Sequence, residues 1–154
     1  MKKKVLLVDD DPGVRRMLLR VLEEEDYEVV PAANGLEALE VVTSTALDLV
    51  LLDLNPPVQN GWETFERLNT ENPSLPVIII TARPNQLFPA LAAGAGALME
   101  KPLDLPKLLR TMRDLMAEQA EARLARTADG RTEFHYLPPM ARQPAAKREE
   151  KPVA

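Results

Sequence analysis

A short apolar run that ends in a carboxylate, Asp48–Leu54, constrains the fold more than any other stretch of this 154-residue chain. Every residue between Asp48 and Asp53 is aliphatic, which predicts a strand buried on both faces, as in a parallel sheet covered by helices. The Asn-Pro-Pro sequence at 55–57 then favours a loop. Ligands bind beyond the carboxyl ends of the strands in open α/β sheets, so Asp53 is a candidate functional residue. Taken alone, this aspartate is equally consistent with a structural turn.

The rest of the chain alternates strand and helix patterns. Four further apolar runs predict strands: Val5–Val8, Tyr27–Val30, Val77–Ile80 and Ala97–Met99. Apolar residues at helical spacing predict helices around 14–22, 35–42, 62–72 and 105–116, with Asp11-Pro12, Asn34 and Asp104 as start signals. We therefore expect an α/β fold, with a five-stranded parallel sheet, helices on both faces, doubly wound as in flavodoxin.

Composition and charge exclude several kinds of protein. The chain has no cysteine and one histidine, so it has neither a disulfide nor a thiolate or histidine-clustered metal site. The basic start Met1–Lys4 precedes an apolar run that is too short for an export signal. The net charge is −5, and an acidic body does not favour direct nucleic-acid binding. We expect a cytoplasmic protein that binds neither membrane nor nucleic acid.

The periodic patterns fade after about residue 126, which predicts a domain at 1–126 and a tail at 127–154. Five basic and four acidic residues give this tail a net charge of +1, and four prolines interrupt it. Its one aromatic cluster, Phe134–Tyr136, is a candidate for packing against the domain or for binding a partner. We expect the tail to be disordered or only partly ordered.

Polar residues follow four of the five predicted strands at their carboxyl ends. Parallel pairing would bring these residues together: Asp9, Asp10, Asp53, Thr81 and Lys101. Neighbouring carboxylates repel by about 1 kcal/mol in water and by roughly 4 kcal/mol at an effective dielectric constant of 20, so an acidic cleft favours a divalent cation. Oxygen ligands in an open site suit Mg²⁺. A hydroxyl donor and an ammonium group suit phosphoryl oxygens, and the central carboxylate, Asp53, is then a nucleophile for an aspartyl phosphate.

Four sequence motifs in this order resemble the receiver domain of two-component response regulators, the CheY-like family. They are Val-Asp-Asp-Asp-Pro at 8–12, Leu-Asp-Leu-Asn-Pro-Pro-Val-Gln-Asn-Gly at 52–61, Thr-Ala at 81–82 and Lys-Pro at 101–102. The resemblance extends over about residues 3–120. It implies that the chain is not an enzyme but a phosphorylated signalling module, whose partners are a sensor histidine kinase or histidine phosphotransfer protein, a downstream protein and, in some cases, a second copy.

The resemblance also implies a role for each matched residue. Asp9, Asp10 and Asp53 would bind Mg²⁺, and the backbone carbonyl of Asn55 would complete the metal site. Asp53 would accept the phosphoryl group, while Thr81 and Lys101 would contact it. The family commonly has a cis peptide bond at the position of Pro102.

Several residues depart from the family pattern. Leu98 occupies the position of a common aromatic residue, Pro56-Pro57 replaces Met-Pro, and Pro84 and Pro89 interrupt the helix expected after the fourth strand. These departures keep open an alternative in which the chain is an adaptor that binds partners constitutively without being phosphorylated. A Mg²⁺-dependent phosphohydrolase is a weaker alternative, because Asn55 stands where such enzymes place an acid/base aspartate.

Overall fold

A computed structural model of the chain describes residues 2–53, 61–82, 94–117 and 135–140. These residues form six strands and four helices. In chain order they are β1 (Lys4–Val8), α1 (Pro12–Glu24), β2 (Glu28–Ala32), α2 (Gly35–Ser44), β3 (Leu49–Asp53), α3 (Gly61–Glu71), β4 (Val77–Thr81), β5 (Ala97–Glu100), α4 (Leu105–Ala117) and β6 (His135–Leu137). The helix predicted across Pro84 and Pro89 lies outside the described residues. None of the helices in the described ranges is long and apolar enough to cross a membrane.

The six strands form one parallel sheet in the order β2-β1-β3-β4-β5-β6. Helices α1 and α4 pack on one face, and α2 and α3 pack on the other. The predicted doubly wound, flavodoxin-like α/β architecture is therefore confirmed, with one strand more than the five expected.

The central strand β3 explains why its sequence is apolar without alternation. Leu49 and Leu51 belong to the core under α1 and α4, whereas Val50 and Leu52 belong to the core under α2 and α3. Successive side chains of a strand point to opposite faces, so a strand covered on both sides needs apolar residues at every position. All four side chains are at most 2% exposed.

Three polar side chains cap helices where the sequence predicted. The Asp11 carboxylate accepts hydrogen bonds from the backbone N–H groups of Gly13 and Val14, at 2.8 and 3.2 Å. The Asn34 side chain accepts one from Glu37 N at 2.9 Å, and Asp104 accepts one from Lys107 N at 3.2 Å. These bonds satisfy backbone donors that a helix leaves without an internal partner.

Strand β6 was not predicted, because it lies in the segment expected to be tail. It pairs with Ala97–Met99 of β5 and places Leu137, 4% exposed, in the core beside α4. A three-residue strand offers too few positions for a recognisable apolar period. The rest of the predicted tail and the domain boundary at 126 lie outside the described residues, so the proposed division of the chain stays a prediction.

Candidate functional site

The polar site lies at the edge of the sheet where the central strands end. The register at this edge pairs Val8 with Leu52, Asp53 with Ile80, and Thr81 with Glu100. Asp53 and Thr81 are the last residues of β3 and β4, while Asp9 and Lys101 directly follow β1 and β5. Since β3 lies between β1 and β4, Asp53 occupies the middle of the group.

The Asp53 carboxylate is held between a positive and a negative group. Its Oδ2 atom accepts a hydrogen bond from Lys101 Nζ at 2.8 Å, which is also an ion pair. The Asp9 side chain is also near enough to form a hydrogen bond with it. The side chain of Asp53 is only 2% exposed, and that of Lys101 is 20% exposed. The structure therefore joins residues 48 positions apart in the sequence.

Burial and the Asp9 carboxylate alter the acidity of this group. The pKa of Asp53 is raised from 3.8 to about 7; burial is the largest cause, and the hydrogen bond and charge repulsion with Asp9 also raise it. The hydrogen bond and positive charge of Lys101 lower the pKa but do not cancel these effects.

Asp9 is fixed from two directions. It is 2% exposed, and its Oδ1 atom accepts a hydrogen bond from the backbone N–H of Asp11 at 2.9 Å. Its backbone carbonyl accepts one from Arg15 Nη1 at 2.6 Å. No sequence motif assigned Arg15 a role, so its contact with the site was missed. A bond between a helix side chain and a strand-end carbonyl has no signature in the apolar pattern.

The other predicted site residues differ in burial. Thr81 is fully buried, and its carbonyl accepts a hydrogen bond from the backbone N–H of Lys101 at 2.9 Å. Asp10 neighbours Asp9 but is exposed, and Asn55 lies outside the described residues. Leu98 is buried in the core under α2 and α3. The Lys101–Pro102 peptide bond is cis, as the resemblance implied.

The fit of a metal ion rests on Asp9 and Asp53. Within the described ranges, no three acidic or histidine side chains lie close enough together to form a ready metal cluster. Asp9 and Asp53 nevertheless supply carboxylate oxygens, the ligands that Mg²⁺ prefers, and their mutual repulsion favours a cation. The pair fits a cation whose remaining ligands come from elsewhere, as is usual for Mg²⁺.

The fold is a doubly wound parallel α/β sheet with an acidic site at its carboxyl edge, and comparison with known proteins identifies its family. Residues 5–113 match the family described as the response regulator receiver domain. The chain belongs to this family of two-component systems.

The chain matches different shares of two similar proteins. The chain is 37% identical over 110 residues to sporulation initiation phosphotransferase F of Bacillus subtilis, a match covering 70% of this chain and 89% of that protein. It is 37% identical over 118 residues to response regulator MprA of Mycobacterium ulcerans, covering 75% of this chain but 51% of that protein. The match thus includes most of the first relative and about half of the second.

Solved structures agree with the fold. A CheY-like receiver domain protein from Methanospirillum hungatei superposes with a TM-score of 0.73 at 30% identity, covering 79% of this chain and 99% of that one. Response regulator TrrA from Thermotoga maritima, solved in complex with Mg²⁺ and BeF, superposes with a TM-score of 0.68 at 31% identity, covering 73% and 98%.

Proposed function

We propose that this receiver domain accepts a phosphoryl group on Asp53 in a Mg²⁺-dependent reaction and thereby switches its binding to a downstream protein. The phosphoryl donor would be the phosphohistidine of a sensor histidine kinase or a histidine phosphotransfer protein. The observation that carries the proposal is the position of the Asp53 carboxylate, between Asp9 and Lys101 at the carboxyl edge of the sheet. Family membership and the named Mg²⁺–BeF complex of a relative support it.

The chemistry assigns each residue a task. An Asp53 oxygen forms a P–O bond as the P–N bond of phosphohistidine breaks, and the electron pair stays on the imidazole nitrogen, which then takes up a proton. Asp53 must be ionised to attack, and its pKa of about 7 leaves only part of it ionised at neutral pH in the metal-free protein. Asp9 and Asp53 would hold Mg²⁺, with the exposed Asp10 and the carbonyl of Asn55 as further predicted ligands. When bound, the cation supplies positive charge that lowers the pKa of the carboxylates and neutralises phosphoryl oxygens.

In this proposal Lys101 and Thr81 stabilise the product. The Lys101 ammonium now contacts Asp53 Oδ2 at 2.8 Å, and an added phosphoryl group offers it oxygens with more negative charge. Thr81 ends the neighbouring strand and supplies a hydroxyl group, which can donate to a phosphoryl oxygen. Phosphorylation would act by a population shift, since the phosphoryl group binds better to one arrangement of these groups than to the other.

Labelling by acetyl phosphate tests the proposal. The parent chain should become phosphorylated on one aspartate when Mg²⁺ is present and should not when it is chelated, and Asp53→Ala should abolish the label. Asp48→Asn is the matched control, because Asp48 lies at the opposite end of the same strand and accepts a hydrogen bond from Lys4 N at 2.8 Å, which asparagine can also accept. Equal labelling of Asp53→Ala and the parent would contradict the proposal. No labelling of any variant, with partner binding unaffected by beryllofluoride, would instead favour the constitutive adaptor.

A further inference from the structure

We propose that residues 135–140, which are β6 and the three residues after it, are a positioning element for Lys101. By fixing the chain on both sides of Lys101, this segment keeps the ammonium group directed at Asp53 and so strengthens binding of a phosphoryl group there. The inference rests on the proposed function, since it concerns the same phosphoryl site. It adds a part of the chain that no sequence motif had connected with the site.

Strand β6 first changes the position of β5 in the sheet. Without β6, the four-residue strand β5 would be an edge strand among the described residues, paired with β4 alone. With β6 present, β5 is paired on both sides, and His135 N also donates to the Gly96 carbonyl at 3.1 Å. Leu137 anchors β6 by its burial beside α4. A strand paired on both sides frays less than an edge strand, so the chain entering Lys101 is better ordered.

Two hydrogen bonds then tie this segment to the residues that flank Lys101. Tyr136 Oη donates to Glu100 Oε1 at 2.8 Å, one residue before the lysine. The backbone N–H of Met140 donates to the carbonyl of Pro102 at 2.9 Å, one residue after it. Lys101 therefore lies between Glu100 and Pro102, which are both hydrogen-bonded to residues 135–140.

The same short stretch is bonded to the phosphoryl site. The backbone N–H of Lys101 donates to the Thr81 carbonyl at 2.9 Å, and its side-chain ammonium donates to Asp53 Oδ2 at 2.8 Å. A lysine side chain is long and flexible, so a fixed backbone reduces the conformational freedom that binding must remove. Coupling of this kind is reciprocal, so an occupied phosphoryl site should also stabilise β6.

Affinity for beryllofluoride with Mg²⁺, followed by ¹⁹F NMR on the full chain, tests the coupling. Met140→Pro removes the N–H group that bonds to Pro102, whereas Met140→Ala keeps it, and the Met140 side chain is 49% exposed. We expect Met140→Pro to weaken binding about three- to tenfold, the range expected for one hydrogen bond, and Met140→Ala to change it less than about twofold. Tyr136→Phe removes the hydrogen bond to Glu100, and Tyr136 itself is half-exposed. This variant should weaken beryllofluoride binding to a similar extent, and it tests the coupling if Met140→Pro does not fold.

A double-mutant cycle separates positioning from general destabilisation. In the Lys101→Met background, Met140→Pro should cause no further loss of affinity, because the group that it positions is absent. Amide exchange of residues 135–140 in the parent chain should slow when beryllofluoride and Mg²⁺ are bound. Equal affinities of the proline and alanine variants, or additive losses in the cycle, would overturn the inference while leaving the proposed function intact. Failure of the parent chain to bind beryllofluoride would refute both.

Discussion

Replacing Asp53 with asparagine should stabilise the metal-free protein at neutral and alkaline pH, although it removes an ion pair. Asparagine has nearly the same shape as aspartate but carries no charge, so it ends the repulsion with Asp9 and the cost of a buried carboxylate. It also deprives the Lys101 ammonium of its partner at 2.8 Å. Two opposing changes in the free energy of unfolding must therefore be compared.

The magnitude follows from the pKa of Asp53. Its rise from 3.8 to about 7 means that ionising the folded protein at alkaline pH costs on the order of 4 kcal/mol, at about 1.4 kcal/mol per pKa unit. This pKa already includes the lowering by Lys101, so the free energy of the ion pair is contained in that cost. The variant should thus be more stable than the parent by on the order of 4 kcal/mol in the absence of metal.

The pH dependence has a definite sign. Because the pKa of this acid is higher in the folded than in the unfolded state, the unfolded chain ionises first as the pH rises. The contribution of Asp53 to stability is therefore greatest below its unfolded value of 3.8, falls up to about pH 7 and is constant above that. The advantage of Asp53→Asn should grow across the same interval.

Urea unfolding followed by circular dichroism, with a chelator present and at several pH values between about 4 and 8, measures this difference. Asp48→Asn is the control, because that carboxylate lies at the other end of β3 and bonds to a backbone N–H. A stability difference between Asp53→Asn and the parent that does not change with pH, or that shrinks as the pH rises, would show that burial and Asp9 do not control this carboxyl group.

Three further predictions concern the metal and the helices. Mg²⁺ should raise the melting temperature of the parent but not of Asp53→Asn, because a ligand that binds only the folded state stabilises it; equal shifts would exclude Asp53 as a ligand. Asp11→Ala should lower the free energy of unfolding by about 1 kcal/mol in urea titrations, since two backbone donors of α1 lose their acceptor; an unchanged midpoint would refute this role of the cap. Gly35→Ala should lower the free energy of unfolding by about 1 to 3 kcal/mol because its Cβ would overlap the Thr64 side chain, and Thr64→Ala should restore stability. Gly13→Ala, whose added Cβ has its nearest contact at 3.3 Å, is the control in thermal unfolding. Equal effects at both glycines would rule out the overlap.

The sequence alone determined most of the architecture. Strands β1, β3 and β4 are apolar at almost every position because they are covered on both faces, and this signal is local enough to read without coordinates. The caps Asp11, Asn34 and Asp104 are local for the same reason, since each accepts from a backbone group three residues or fewer away. The topological rule for parallel sheets also predicted that Asp9, Asp53, Thr81 and Lys101 would follow strands ending at one edge.

Tertiary structure decided what no local pattern contains. The ion pair of Asp53 with Lys101, the raised pKa of Asp53 beside Asp9, and the bond from Arg15 to the Asp9 carbonyl all depend on atoms brought together by folding. Strand β6 is the clearest case, because its three residues form a strand only where β5 offers an unpaired edge and α4 offers a buried place for Leu137. Local sequence sets which segments form strands and helices, whereas partners distant in sequence are selected by packing and by the free energy of pairing and burying polar groups.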